Sequence, residues 1–444
     1  MIKDMTEGKP SRILWAFSIP MLISVMFQQI YNIADSMIAG KFVGEGALAA
    51  VGASYPITMI FMAIAMGCNI GCSVVISQLF GARKYGEMKT AITTTFFSCG
   101  ALSILLTLLG LLFCHPMLEM IRTPDNIFSD AALYLNIYIG GLAFLFLYNI
   151  CTGIFTALGD SRTPLYFLIG SSIGNIILDL VFVIFLKMGV AGVAWATFIA
   201  QGISCILSAV TLTSRVRSVR TQEKPALFSL AMLGKISWIA VPSILQQSFI
   251  SVGNIFIQFL VNGFGSAAIA GYSAAVKLNT FSITSITTLA NGLSSFTAQN
   301  IGAGKLERVR KGFRSSIVML ACVVLPFFIA YFFFDEHMLM LFMNKESDVA
   351  IGIGREFLRI VSPFYIIVGF KLMADGVLRG AGSMKCFMIA TFTDLLLRVI
   401  LAFAFSGSFG TTGIWMAWPV GWSLAAVLSV AFYMKGVWKE GMRA

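Results

Sequence analysis

Two groups of polar side chains interrupt apolar stretches of the sequence at helical spacing. Gln28, Asn32 and Asp35 follow one another at intervals of four and three residues, so on a helix they share one face. Asn175 and Asp179, four residues apart, repeat this arrangement further along the chain. A carboxylate in hydrocarbon costs about 3 kcal/mol even on insertion scales. Both faces are therefore predicted to point at protein or at a water-filled cavity.

The two carboxylates suit ion chemistry. Counted along their apolar stretches, Asp35 and Asp179 both fall in the outer half of the membrane, and two close acids in a poorly hydrated site cannot easily both ionise. Such a pair can carry a proton. Thr197 and Gln201, four residues apart, add neutral oxygens, and oxygens beside carboxylates are also ligands for a hard cation. The alternative for each carboxylate is a hydrogen-bonded role in helix packing.

The elements that carry these residues are predicted to be membrane-spanning helices. Of 444 residues, 58% are hydrophobic and 11% are charged, whereas soluble domains are about a quarter charged. About 20 apolar residues cross a bilayer as a helix, and the alternating pattern of an outer-membrane barrel is absent. Twelve such runs are predicted, beginning near residues 13, 46, 90, 128, 163, 190, 230, 267, 315, 353, 386 and 411. The expected fold is an all-α integral membrane protein with twelve transmembrane helices.

The net charge of +11 follows from topology. With a cytoplasmic amino terminus, most Lys and Arg residues between spans fall on the cytoplasmic side, which predicts a multi-pass cell-membrane protein with both termini inside. No nucleic-acid partner is needed to explain the charge. The eight cysteines lie mostly within apolar runs and form no C-x-x-C pair. We expect neither a disulfide nor a bound cofactor.

The chain contains an internal repeat. Pro20 and Asn32 are matched by Pro242 and Asn254 at the same separation. Six helices bring the chain back to the same side, so the halves are predicted to be parallel repeats with a substrate cavity between them. The predicted division is an amino-terminal lobe at 1–214, a basic cytoplasmic linker at 215–229 and a carboxyl-terminal lobe at 230–444. A second motif recurs with identical spacing in Gln78, Gly81, Ala82 and Lys84 and in Gln299, Gly302, Ala303 and Lys305.

The order of these motifs resembles the multidrug and toxic compound extrusion (MATE) family, in its DinF-like branch. The resemblance rests on residues 19–20, 32–35, 78–82, 153–163, 175–179 and 376–380, and it extends over nearly the whole chain. It implies a monomeric antiporter in the lipid membrane that exports amphipathic organic compounds, driven by protons or sodium ions. It also implies that Asp35, Asn175, Asp179 and Thr197 form the ion-coupling site, and that they are metal ligands only with sodium. We favour protons because a sodium cage needs every oxygen well placed.

The second half carries different polar residues. The seventh predicted membrane helix, which begins near residue 230, has an uncharged stripe that includes Gln247, Asn254 and Gln258. Coupling through a carboxylate is therefore expected in the amino-terminal lobe. Lys277 and Lys371 either contact substrate or compensate Asp394 and Asp375, and Lys277 with Asp394 is the pair expected from depth. The substrate-cavity candidates are Gln28, Asn32, Gln201, Gln247, Asn254, Gln258, Lys277 and Lys371. The structural candidates are Pro20, as a hinge in helix one, with Asp394 and Arg398.

Two other functions are alternatives for a chain of this composition. A lipid-linked oligosaccharide flippase of the same superfamily is the alternative, favoured by basic residues within spans. An intramembrane enzyme needs a catalytic set inside the membrane, but His115 and His337 lie at span ends. No phosphate-binding loop of an ATP-driven pump occurs in the sequence. The sequence therefore favours a secondary transporter rather than an enzyme.

Overall fold

The computed structural model describes residues 2–38, 42–343 and 348–439, without the side chains of residues 33–37, 45 and 48. The first repeat contains α1 (Pro10–Ile38), α2 (Glu45–Gly81), α3 (Tyr85–Met120), α4 (Asp125–Gly140), α5 (Leu142–Ala157), α6 (Arg162–Leu180) and α7 (Val190–Ser218). The second contains α8 (Leu230–Asn262), α9 (Ser266–Gly302), α10 (Leu306–Phe333), α11 (Asp335–Leu339), α12 (Asp348–Val361), α13 (Tyr365–Gly380) and α14 (Met384–Lys435).

These helices account for twelve membrane crossings in the described ranges. Nine stretches are long and apolar enough to span a bilayer, α12 with α13 counting as one, and α4 with α5 forms a tenth that is bent by 48°. The helix α9, with 37 residues, is long enough to supply a further crossing. The 52 residues of α14 would extend about 78 Å, but the backbone breaks at Gly410, where φ is 61°. Divided there, α14 supplies two crossings, and the predicted twelve-helix fold is confirmed.

Contacts divide the chain into two compact units. Unit 1 comprises Met1–Asp4 and Ile19–Gln247, and unit 2 comprises Met5–Ser18 and Ser248–Ala444. Helix α1 therefore begins in unit 2 and continues in unit 1 just before Pro20, and α8 begins in unit 1 and continues in unit 2. The lobe boundaries at 214 and 230 follow the sequence repeat, and they stay a prediction.

The two units use glycine at the same place in the repeat. In unit 1, a Cβ on Gly153 of α5 would lie 3.0 Å from the carbonyl oxygen of Asn69 in α2. In unit 2, a Cβ on Gly376 of α13 would lie 2.7 Å from the carbonyl oxygen of Ala290 in α9. Small residues allow membrane helices to approach backbone to backbone. This shared packing agrees with the predicted pair of six-helix repeats.

Replacing Gly380 with alanine should lower the melting temperature. The added Cβ would lie 2.4 Å from the carbonyl oxygen of Ser294, so α13 and α9 must separate. Overpacking of this kind costs about 1–3 kcal/mol. The matched control is Gly170→Ala in α6, where a Cβ meets no atom within 4 Å. Thermal unfolding in detergent measures both variants, and equal melting temperatures would contradict the close helix packing.

Candidate functional site

The buried face of α6 is mainly polar. Ser172, Asn175 and Asp179 are 7%, 3% and 0% exposed, although the helix is otherwise largely apolar. Two residues after Asp179 the helix continues as a π-helical turn at Val181–Phe185. Single π-helical turns are frequent at functional sites. The polar face of α6 therefore points into unit 1, away from lipid.

The amide of Asn175 connects three helices of unit 1. Oxygen and nitrogen of an amide are assigned from their hydrogen-bond partners. In the orientation that satisfies its neighbours, the nitrogen donates to Asp179 Oδ2 at 2.9 Å and to the Tyr31 hydroxyl at 3.3 Å. The amide oxygen then accepts from the backbone N–H of Thr197 at 3.1 Å. The structure thus brings Asn175, Asp179 and Thr197 together, with Tyr31 of α1 beside them.

The fourth predicted coupling residue is Asp35. It belongs to α1, four residues after Tyr31, but its side chain lies outside the described part of the structure. Residues four apart occupy the same face of a helix. The register of α1 therefore places Asp35 one turn along from the residue whose hydroxyl contacts Asn175.

A small pocket, with room for about one water molecule, borders Thr197. It lies between α4, the start of α5 and α7, and Gln201 also lines it. Tyr134 and Tyr138 of α4 stack with ring centroids 6.4 Å apart, and Phe198 of α7 packs edge to face on Trp195. The full lining is Tyr134, Ile137, Tyr138, Gly141, Ala194, Thr197, Phe198 and Gln201.

Sequence reasoning missed the tyrosines of this region. Tyr134 and Tyr138 are four residues apart and share a helix face, and Tyr31 lies four residues before Asp35. Tyrosine is amphipathic and common at membrane interfaces, so its spacing alone does not separate a site residue from an interfacial one. The sequence signal that could have identified Tyr31 is its position four residues before Asp35, on the helix face that carries the carboxylate.

The predicted cavity residues of α1 and α8 have different surroundings. Gln28 and Asn32 are exposed on unit 1. Gln247, the last residue of unit 1 in α8, is half-buried, and its amide lies 3.5 Å from the sulfur of Met66. Asn254 is exposed on unit 2. Gln258 donates to the side-chain oxygen of Asn262 at 2.7 Å, within the same helix.

Unit 2 holds a buried charge cluster. Lys371 Nζ lies 3.3 Å from Asp375 Oδ2 and 3.4 Å from Asp394 Oδ2, and these three residues are at most 6% exposed. Asp375 also accepts a hydrogen bond from Ser429 Oγ at 2.6 Å. The ammonium group of Lys371 thus bridges two carboxylates, Asp375 on α13 and Asp394 on α14.

The other charged candidates of unit 2 lie apart from this bridge. Lys277 is exposed, with its ammonium 5.5 Å from the ring centroid of Phe342. Lys277 and Asp394 both lie in the described part of the chain, and no ion pair joins them there. The ion pair with Asp394 that was expected of Lys277 is formed by Lys371 instead. Arg398 is 6% exposed and lies over the ring of Trp418 at 4.6 Å.

Pro20 lies inside α1, two residues after the helix leaves unit 2. A proline removes one helical hydrogen bond and permits a bend. The hydroxyl of Ser24 donates to the Pro20 carbonyl at 2.9 Å.

Residues 20–181 and 242–404 match the MatE family model. The chain belongs to the MatE family. It is 27% identical to the probable multidrug resistance protein YoeA of Bacillus subtilis, covering 98% of this chain and 96% of YoeA. It is 22% identical to the multidrug export protein MepA of Staphylococcus aureus, covering 93% and 91% of the two chains.

Solved structures show the same fold. A MOP superfamily transporter from Pyrococcus furiosus superposes with a TM-score of 0.90 at 23% identity, over 98% of this chain and 97% of that one. A MATE crystallised in complex with MaL6 gives a TM-score of 0.92 at 23% identity, over 98% of both chains. This MatE protein is thus a multi-pass membrane protein of a transporter family, and not an enzyme, as the sequence predicts.

Proposed function

We propose that this chain exports amphipathic organic compounds in exchange for protons, and that it belongs to the DinF-like branch of its family. The observation that carries the proposal is the fully buried Asp179, which accepts a hydrogen bond from Asn175 inside a membrane-spanning unit. Ionisable residues within the membrane mark ion pathways by default. The names of YoeA and MepA, a multidrug resistance and a multidrug export protein, support the substrate class.

The orientation of the Asn175 amide supports protons over sodium. Its nitrogen faces Asp179 and its oxygen faces the Thr197 backbone N–H. A sodium cage would need the amide oxygen to turn toward the ion beside the carboxylate, because hard cations bind oxygen ligands. A proton on Asp179 needs no such rearrangement. Asp35, one turn from Tyr31, is the proposed second carboxylate.

The charge distribution supports the proposed location and orientation of the chain. We place the chain in the cell membrane with both termini in the cytoplasm, as a monomer that binds its substrate from water or lipid. Lys84, Lys305 and Arg308 lie at or next to helix turns that this topology puts on the cytoplasmic side, as the positive-inside rule requires.

Asp35→Asn should abolish export while the protein remains folded and inserted. Purified protein is reconstituted into vesicles, and transport of ethidium as the probe is followed under a pH gradient or under a sodium gradient at fixed pH. We expect wild-type export with the pH gradient, and none from the variant under either gradient. Export that follows only the sodium gradient would overturn the choice of ion, and wild-type rates for Asp35→Asn would overturn its role.

A further inference from the structure

The amino-terminal segment of the chain is docked into unit 2. Met5 and Thr6 are 0% and 4% exposed, although they precede the first helix. The first residues of most domains are poorly ordered unless something ties them down. Here the α9–α10 turn holds Met5 and Thr6 in place. We call residues 5–8 the clasp.

The clasp is held through its backbone. The Met5 N–H donates to Gln299 Oε1 at 2.9 Å, and the Met5 carbonyl accepts from Asn300 at 3.3 Å and from Arg308 at 3.1 Å. Lys305 donates to the carbonyl oxygen of Thr6 at 2.9 Å. A second nitrogen of Arg308 donates to the carbonyl of Gly8 at 2.7 Å. Charged donors make hydrogen bonds about twice as strong as neutral ones.

The first half of α1 packs against the same helix as the clasp. Ser18 is the last residue of α1 in unit 2. A Cβ on Gly292 of α9 would lie 2.9 Å from its Oγ atom. Beyond it α1 continues in unit 1, past Pro20. The clasp therefore fixes the start of a helix whose remainder belongs to the other unit.

Unit 1 contains the equivalent arrangement. The segment before α8 is held by threonines of α3: Ala226 N–H donates to Thr90 Oγ1 at 3.0 Å, and Ser229 N–H donates to Thr94 Oγ1 at 3.1 Å. The α2–α3 turn carries Gln78 and Lys84, which the sequence repeat matches to Gln299 and Lys305. Each repeat thus holds the segment that precedes α1 or α8 at the hairpin of its second and third spans, but with different side chains.

We propose that the clasp is a reversible latch, which must leave the α9–α10 turn once in each transport cycle so that the first half of α1 can move off α9. The proposal rests on the proposed transport function. Hydrogen bonds from Lys305 and Arg308 to backbone carbonyls suit a reversible contact, because water replaces these partners readily at the membrane surface.

The docking is tested by labelling a cysteine introduced by Met5→Cys, since the bonds of Met5 use only its backbone. The exposed Cys322 and half-buried Cys386 are first replaced by serine. Adding Arg308→Ala removes two bonds to the clasp, and we expect maleimide labelling at position 5 to become about tenfold faster. The matched control is Arg310→Ala, because Arg310 forms an exposed ion pair with Glu307 instead. Equal labelling rates for Arg308→Ala and Arg310→Ala would overturn the clasp.

Cross-linking tests whether the clasp must leave the α9–α10 turn during the transport cycle. In a Thr6→Cys and Lys305→Cys variant, o-phenylenedimaleimide should link the clasp to α10 and stop ethidium export, whereas the monofunctional N-ethylmaleimide should not. Export by the linked protein at the unlinked rate would overturn the proposal. If the unlinked protein exports nothing under any gradient, the proposed function fails, and the labelling at position 5 still decides the clasp.

Discussion

Asp179→Asn should abolish gradient-driven export and leave the free energy of unfolding unchanged or higher. Asparagine has nearly the same shape as aspartate, and its side-chain oxygen can still accept the hydrogen bond from Asn175. The substitution puts a permanently neutral group at a fully buried position, where a charged group is unfavourable. Only the proton-carrying capacity is lost. Ethidium transport in vesicles and thermal unfolding in detergent measure the two effects.

Asp160→Asn is the matched control for this variant. Asp160 accepts hydrogen bonds from the backbone N–H and the hydroxyl of Thr163 at the start of α6. Asparagine serves such an N-terminal role about as well as aspartate. We expect normal export and stability from the control. A destabilised Asp179→Asn protein with normal coupling would show that this carboxylate has only a packing role.

Lys371→Met should strongly destabilise unit 2. The lysine bridges two buried carboxylates on α13 and α14, and methionine keeps most of its volume without the charge. Removing one partner of a buried ion pair costs about 3–5 kcal/mol because the remaining charge is uncompensated. By the same argument Asp394→Ala should lower stability. Thermal unfolding and the yield of inserted protein are the measurements.

Lys277→Met makes the same substitution at an exposed position, where the ammonium lies over the Phe342 ring. Its melting temperature should equal that of the wild type. Adding Asp394→Asn to Lys371→Met removes one of the two repelling carboxylates, and part of the lost stability should return. If Lys371→Met melts at the wild-type temperature, the cluster does not hold α13 and α14 together.

The sequence alone predicted the parts of this fold that depend on periodicity and length. Long apolar runs identify membrane helices because the bilayer sets their length. The twelve predicted starts therefore lie at most nine residues from the observed ones, and the largest difference is at α10. Both units also use glycine where helix backbones touch, as at Gly153 and Gly376, and both positions lie in segments that carry the family resemblance. The polar stripe of α6 identified its buried face for the same reason of spacing.

Contacts that depend on helix rotation could not be predicted. Depth along the membrane made Lys277 the expected partner of Asp394, yet Lys371 pairs with it, because α13 turns that side chain toward α14. The tyrosines around Asn175 and Thr197 come from helices whose relative rotation no spacing reveals. The clasp at Met5 is held by hydrogen bonds to backbone atoms. Because every residue type has these atoms, no sequence pattern predicts the contact.

Proton release on substrate binding tests the central claim most directly, that the buried carboxylate of unit 1 exchanges its proton for substrate. Ethidium is added to purified protein in weakly buffered detergent solution, and a pH-sensitive dye counts the protons released. The wild-type protein should release protons in proportion to the ethidium bound, and Asp179→Asn should bind ethidium with fewer or none released. Equal proton release from both proteins would contradict the account.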